Sequence, residues 1–497
     1  MALENACFTA DSAVNKLSAE EASGAAGSDR SPADSRLTEA AEDSDYSNDL
    51  IVKPIPLLIA RIAVPASLGF FFNTMFNATD TYFAGFISTE SLAALSLSFP
   101  VFFIIIAVGS GLSTGTTALI ANEIGAGRRQ KAGLFAFQGL GFGIITALIV
   151  TVAGIAIAPR LFSFLGASEQ YLRDALHYMN TIFGGTIFFI CNFMLNAVLV
   201  ATGDTRSFRN FLIAGFFLNL VLDPWFMFGG FGVPSMGIRG IALATVIIQF
   251  FGVAYLALRV SRTDLMAGSD MRRIIPRLAP FREIARQGLP AAVNMLTVGL
   301  GVFVITYFAG RFGKQAVAAY GAAVRLEQII LLPTIGLNTA TLTLAAQNFG
   351  ARRFDRLRAV FFRCLRYGAV IAVLGAAALL LGAPALMKFF TSDPIVIAYG
   401  ATYLKIAAFL IYAYVMLFLS VSVLQGVKRP FFAIGIGIIR QIVLPVIVFP
   451  LFSIILSMGL KGLWWGIFAI NWSAALFSIV YALKILKKIE KVIGEKT

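Results

Sequence analysis

Charge is what this 497-residue chain most lacks: Asp, Glu, Lys and Arg make up 13% of it against a hydrophobic share of 58%, whereas soluble domains are about a quarter charged. A mean hydropathy of +0.82 points the same way, and an ordinary soluble fold is excluded. Histidine occurs once, at His177, and cysteine only at Cys7, Cys191 and Cys364. That is too little for a disulfide framework, a cysteine metal site or most histidine-dependent chemistry, so redox and zinc enzymology are excluded and no cofactor is expected. The net charge is +14. In a soluble protein that excess would suggest nucleic acid; here the bases take their meaning from the bilayer, and no nucleic-acid partner is expected.

What is present begins with an outlier. Residues 1–49 hold eleven acidic against three basic residues, are rich in Ala and Ser and lack an apolar run, which predicts a disordered acidic tail. They show no basic start followed by an apolar core and a small-residue cleavage site, so no signal peptide is expected. From Lys53 on, the chain is a series of apolar stretches of about 20 residues or more, the length that spans roughly 30 Å of hydrocarbon. Twelve are predicted, at 55–84, 92–121, 133–158, 172–200, 210–228, 238–258, 288–309, 317–346, 360–382, 398–424, 431–452 and 462–483. The connections on the side of the termini hold Arg128, Arg129, Lys131, Arg206, Arg209, seven arginines from Arg259 to Arg286, Arg352, Arg353, Arg356, Arg358, Lys428 and Arg429. The opposite connections hold single bases or pairs, such as Arg160, Arg239, Arg311, Lys314, Lys388 and Lys461. The positive-inside bias predicts a multi-pass protein of the plasma membrane, the inner membrane in a Gram-negative bacterium, with both termini cytoplasmic.

An internal repeat decides the architecture. A shift of 225 residues lays Pro65 on Pro290, Ala84-Gly85 on Ala309-Gly310, Gly125-Ala126 on Gly350-Ala351 and Tyr178 on Tyr403. A slightly smaller shift brings Gly203-Asp204-Thr205-Arg206 onto Gly426-Val427-Lys428-Arg429. The expected fold is an all-α integral membrane protein of twelve transmembrane helices, in two six-helix lobes related by a pseudo-twofold axis along the membrane normal. Its expected parts are a cytoplasmic tail over 1–49, an N-terminal lobe over 50–258, a basic cytoplasmic linker over 259–287, a C-terminal lobe over 288–485 and a short cytoplasmic tail over 486–497. The basic linker also suits anionic lipid headgroups.

Acids at membrane depth cost about 2.5–3.5 kcal/mol on insertion scales and mark function where they occur. Asp80 lies late in the first span with Asn77 and Asn73 on its helical face, and Asp223 late in the fifth with Asn219 one turn before it and Pro224 after it. Neither has a base one turn away, so each is suited to taking up a proton or holding a small cation among oxygen ligands. Each reading has a plainer counterpart. The two acids can sit wetted at an interface; Asn192 and Asn196 can be interhelical hydrogen-bonding glue; Tyr178 can be a packing residue. Glu327 beside Arg325 reads as structural, and Arg325 and Arg440 as snorkelling or helix-end residues. The positions matching Asp80 and Asn219–Asp223 in the second half are Ile305 and Ile442–Val446. Paired acids are therefore expected in the N-terminal lobe alone, with Asn294, Thr297, Thr306 and Asn338 as uncharged candidates in the other.

The stretch Pro65 to Gly85, the run Gly109 to Gly127 (GSGLSTGTTALIANEIGAG), the GDTR at Gly203, the pair Asn219 and Asp223, and Gln347-Asn348-Phe349-Gly350-Ala351 together resemble the multidrug and toxic compound extrusion family. The resemblance covers about residues 53–485. It implies a V-shaped pair of lobes that alternates between inward and outward openings, a monomer exporting small cationic or amphipathic compounds in exchange for H⁺ or Na⁺. Carried over residue by residue, it places ion coupling on Asp80, Asp223, Asn219, Asn196, Tyr178 and Thr245, and helix bending on Pro65. Na⁺, if it is the ion, would be held by Asp80, Asn219, Asp223 and Thr245. Asn73, Asn77, Asn192, Asn294, Thr297 and Thr306 are candidates for the substrate cavity. The acids that the family's NorM-like branch uses on its seventh and tenth helices are missing, so the chain is similar to the DinF-like branch. The main rival is a lipid-linked oligosaccharide flippase of the same superfamily, which would line its cavity with bases such as Arg325 and Arg440. An intramembrane aspartyl protease would need a Gly-Asp in a span, and the single Gly-Asp, Gly203-Asp204, lies in a charged loop.

Overall fold

In lipid every backbone polar group has to be satisfied within the protein, so long apolar segments become helices. The computed structural model describes residues 49–164, 167, 169–266 and 275–494, and the acidic tail expected over 1–48 lies outside these. After a single helical turn at Asp49–Val52, the long helices are α1 Ile55–Ile87, α2 Thr89–Gly125, α3 Arg129–Phe164, α4 Glu169–Thr202, α5 Arg206–Phe228, α6 Ile238–Ser261, α7 Leu278–Gly310, α8 Lys314–Gly350 and α9 Phe354–Lys388, then α10 in two pieces, Pro394–Ala407 and Leu410–Gly426, α11 Phe431–Ile455 and α12 Gly459–Gly494. Eleven are long and apolar enough to span a bilayer, and the two pieces of α10 make the twelfth.

Most helices run past the apolar stretches that announced them, because hydrogen bonding continues along the backbone beyond the apolar residues. The linker is correspondingly shorter than the 259–287 expected, since α6 continues to Ser261 and α7 begins at Leu278. The segment expected as a tail from residue 486 is helical through Gly494. The tenth span, expected to be continuous, bends by 52° between its pieces, and the Phe409 carbonyl there accepts from the Trp472 indole at 3.2 Å. In α11, Pro445 and Pro450 lack the N–H of a regular turn, and π-helical segments at Ile439–Val443 and Leu451–Ile455 adjoin them. At Pro65 of α1, neighbouring carbonyls are capped instead: Ser67 donates to Ala63 O at 2.9 Å and Thr205 to Ile62 O at 3.0 Å.

Helices α1–α6 and α7–α12 form the two lobes, which meet through α2 against α7, α1 against α8, and α2 against α8. Lipid offers no hydrophobic gain for helix association, so close approach and polar contacts hold the lobes together. Near the face that carries the linker, a Cβ on Gly125 would overlap the Gln347 carbonyl and one on Gly350 the Asn122 carbonyl. These glycines correspond across the repeat, and so do the bonds beside them: Asn122 Nδ2 donates to Gly426 O at 2.8 Å, Gln347 Nε2 to Ala201 O at 2.7 Å. Glu123, fully buried, takes Arg128 at 2.6 Å and Lys131 at 3.3 Å from its own lobe and Lys428 at 3.5 Å from the other. Arg353 and Arg356 donate to the carbonyls of Ile51 and Lys53 at 3.0 and 2.7 Å. These contacts tie the two lobes together at the linker face.

Candidate functional site

The first lobe brings Asp80 of α1 together with Asn219 and Asp223 of α5 and Thr245 of α6, all buried. Asn219 and Asp223 are one turn apart on one face of α5, which points both at α1. Asn219 Nδ2 donates to Asp80 Oδ1 at 2.9 Å, and Thr245 Oγ1 reaches Asp80 Oδ2 at 3.5 Å while also bonding Ile241 O at 3.1 Å. Asp223 lies on the α5 face turned toward Asp80, is 0% exposed, and neither of its oxygens finds a hydrogen-bond partner among the described residues. The Asn219 Oδ1 is likewise unpartnered. Two facing carboxyls with surplus acceptors need something positive between them, a proton or a hard cation with oxygen ligands. The burial removes the wetted-interface alternative for both acids.

Other sequence candidates fall in different places. Tyr178 of α4 is buried in the first-lobe core and faces both acids without a hydrogen bond to either. Asn196 of α4 is partly buried with its Oδ1 unpartnered and makes no bond to Asp80. Asn192 donates to Gln249 O at 2.9 Å and to Gln249 Oε1 at 2.7 Å, a tie between α4 and α6. On α1, Asn77 donates to Asn73 O at 2.8 Å, and Asn73 is exposed. In the second lobe Thr297 Oγ1 donates to the Asn294 main-chain O at 2.7 Å, and both side chains pack against Gly437 of α11; Thr306 is partly buried, and Asn338 accepts from Ser422. Pro65 lies within the inter-lobe contact of α1, about four turns from Asp80.

The second lobe also holds a charged cluster that the sequence pattern had assigned to structure. Glu327 and Arg325 are neighbours on α8, yet Glu327 is buried and Arg325 exposed, as a two-residue spacing on a helix demands. Tyr403 donates to Glu327 Oε2 at 2.7 Å, and Glu327 Oε1 lacks a partner among the described residues. Arg440 is buried too, at the start of the first π segment of α11; it donates to Asn471 Oδ1 at 2.7 Å and lies 6.0 Å from the Tyr414 ring centre. Tyr320 and Trp464 pack edge and face around Tyr403. The signal that could have found this cluster is the tyrosine-rich stretch of α10, read together with the one arginine deep in α11.

A model of the MatE family matches the chain twice, over residues 65–225 and 290–451, one match in each lobe. An FAD transporter of Shewanella oneidensis is 28% identical over 417 residues, covering 83% of this chain and 91% of that protein. A probable multidrug resistance protein NorM of Thermotoga maritima is 27% identical over 373 residues, 73% of this chain and 78% of that protein. Among solved structures, an outward-facing multidrug resistance MATE family transporter of the MOP superfamily superposes with a TM-score of 0.83 at 25% identity, covering 89% of this chain and 98% of that one.

Proposed function

The chain belongs to the MatE family, membrane transporters rather than enzymes, and from that premise we propose that it is a secondary active multidrug efflux antiporter, exporting cationic or amphipathic compounds in exchange for H⁺ or Na⁺. The observation that carries the coupling half of this reading is the unpartnered Asp223 carboxyl facing Asp80 inside the first lobe. Asp80, Asn219, Asp223 and Thr245 supply the oxygens that hold the ion, with Tyr178 and Asn196 closing the surroundings. Loading this site changes the packing of α1 against α5 and α6, and Pro65, where α1 meets the other lobe, is the point at which the helix bends. The excess of arginine and lysine on the linker face puts that face in the cytoplasm. The contacts that join the lobes at that face fit a state open on the opposite side, the one in which cargo leaves. Ion and cargo must then prefer different states, since a ligand that binds both equally shifts nothing. The kinship with an FAD transporter supports a wider substrate range that includes large planar aromatics.

The test is export of ethidium from proteoliposomes holding the wild type, Asp80→Asn or Asp223→Asn, with a pH gradient and a Na⁺ gradient imposed separately. The expected result is export by the wild type under one gradient and its loss in both variants at unchanged insertion. A well-inserted wild type that moves no cation under either gradient would overturn the antiporter reading and bring the flippase forward.

A further inference from the structure

Between the linker-side ends of α7, α11 and α12 lies a groove of about 1580 Å³. Five bases surround it, Arg282 and Arg286 on α7, Lys428 and Arg429 before α11, and Lys488 on α12, against one acid, Glu283. Lys428 is engaged by Glu123 at 3.5 Å and by Glu283 at 3.7 Å. Arg282, Arg286, Arg429 and Lys488 are exposed, and among the described residues their side chains make no hydrogen bond or ion pair. Four unpaired cations around one concavity repel one another, and the group that relieves this is an anion with several acceptor oxygens.

The walls indicate what kind of anion. Each of the three helices turns apolar going into the membrane. Leu289 and Val293 follow the arginines on α7, Ile434 follows Arg429 on α11, and Ile485 lies a turn deeper than Lys488 on α12. Leu289 and Val293 are 48% and 38% exposed, so the apolar part of the groove is open. A phosphate ion from solution would use the basic rim alone; an amphiphile uses rim and walls together, with a phosphate at the level where basic residues attract anionic lipid.

We propose that this groove binds an anionic phospholipid, its phosphate among Arg282, Arg286, Arg429 and Lys488 and its acyl chains along Leu289, Val293 and Ile434. Because Lys428 at the rim also holds Glu123 of the other lobe, the headgroup sits beside this inter-lobe contact.

The test is native mass spectrometry of the full-length protein in mild detergent, with phosphatidylglycerol or phosphatidylcholine added and inorganic phosphate as competitor. The groove variant carries Arg282→Gln, Arg286→Gln, Arg429→Gln and Lys488→Gln. A control variant removes the same charge from exposed positions outside the groove, through Arg206→Gln, Arg262→Gln, Arg358→Gln and Arg366→Gln. The wild type and the control should retain one phosphatidylglycerol at energies that strip phosphatidylcholine, and the groove variant should retain it about tenfold less. Should the groove variant not elute as folded protein, the pair Arg282→Gln and Arg429→Gln replaces it. Equal retention by groove and control variants, or equal retention of phosphatidylcholine, overturns the proposal. Full displacement by inorganic phosphate also overturns it, in favour of a free phosphate site.

Discussion

The first lobe buries two acids against each other; the second buries one acid, one arginine and a set of tyrosines. The two lobes descend from one repeat, and what they still share is the seam: Asn122 and Gln347, Gly125 and Gly350 correspond and make equivalent contacts. What they no longer share is the polar interior, where Ile305 stands at the repeat position of Asp80 and the segment matching Asn219–Asp223 reads Ile442–Val446. The seam has to fit both halves at once, so neither half drifts alone, whereas each interior is free to specialise. The first-lobe site lacks a built-in cation among the described residues, which suits the exchange proposed for it. The second-lobe cluster carries Arg440 as a permanent counter-charge and has no such need.

Removing that counter-charge is the strongest way to break the contrast. Arg440→Met takes the charged donor from Asn471 and the one buried cation from the cluster that holds Glu327, and should cost about 3 kcal/mol, the upper end for a hydrogen bond to a charged group. The double variant Glu327→Gln with Arg440→Met should recover most of the loss in thermal unfolding. Ion-driven export per folded molecule should persist in the double variant, while it vanishes in Asp80→Asn. If Arg440→Met instead keeps its thermal stability and uncouples export from the gradient, the second lobe is an active partner and the contrast fails.

Much of this was legible beforehand because it rests on periodicity and length. Twelve apolar stretches, the repeat and the shared helix face of Asn219 and Asp223 follow from hydropathy and from one-turn spacings, which survive folding intact, while the pairing of Asp80 with them was what the family resemblance implied. What the sequence hid depends on direction and on distance through space. Glu327 and Arg325 read as a pair because they are two apart, yet that spacing sends them to opposite sides of α8. Arg440 reads as a snorkelling base until the π segment is seen to set it inside. Asn294 and Thr297 read as cavity residues, but the small Gly437 on α11 lets that helix pack onto them. Helix ends were misplaced for a related reason, since hydrophobicity marks the lipid boundary and not the last hydrogen bond.

A second test weighs the seam. Glu123 and Asn348 correspond at the 225-residue shift, and each receives a base eight residues on, Lys131 at 3.3 Å and Arg356 at 3.3 Å. Glu123 alone is charged and reaches Lys428 across the lobes, so Glu123→Gln should loosen the seam by about 1.5–3 kcal/mol, the scale of hydrogen bonds to charged groups, and Asn348→Ala by less. Maleimide labelling of a cysteine placed at the buried Ala346, with the native cysteines removed, reads the difference. Equal labelling rates in the two variants would mean that Glu123 contributes only solvation and that the seam is as symmetric as its glycines.

The smallest effect separates two roles for one residue. Asn192 makes two hydrogen bonds to Gln249, joining α4 to α6 close to the site but not in it. If it is glue, Asn192→Ala should lower thermal stability by roughly 0.6–2 kcal/mol, the range measured for hydrogen bonds between membrane helices. The ethidium concentration for half-maximal export should then stay the same. As a cavity residue it would behave in the opposite way, with stability held and that concentration raised. The first outcome is expected because both bonds are to one neighbour inside the same lobe. An amide whose NH2 group is spent on two acceptors of one helix partner has no free donor to offer a passing substrate.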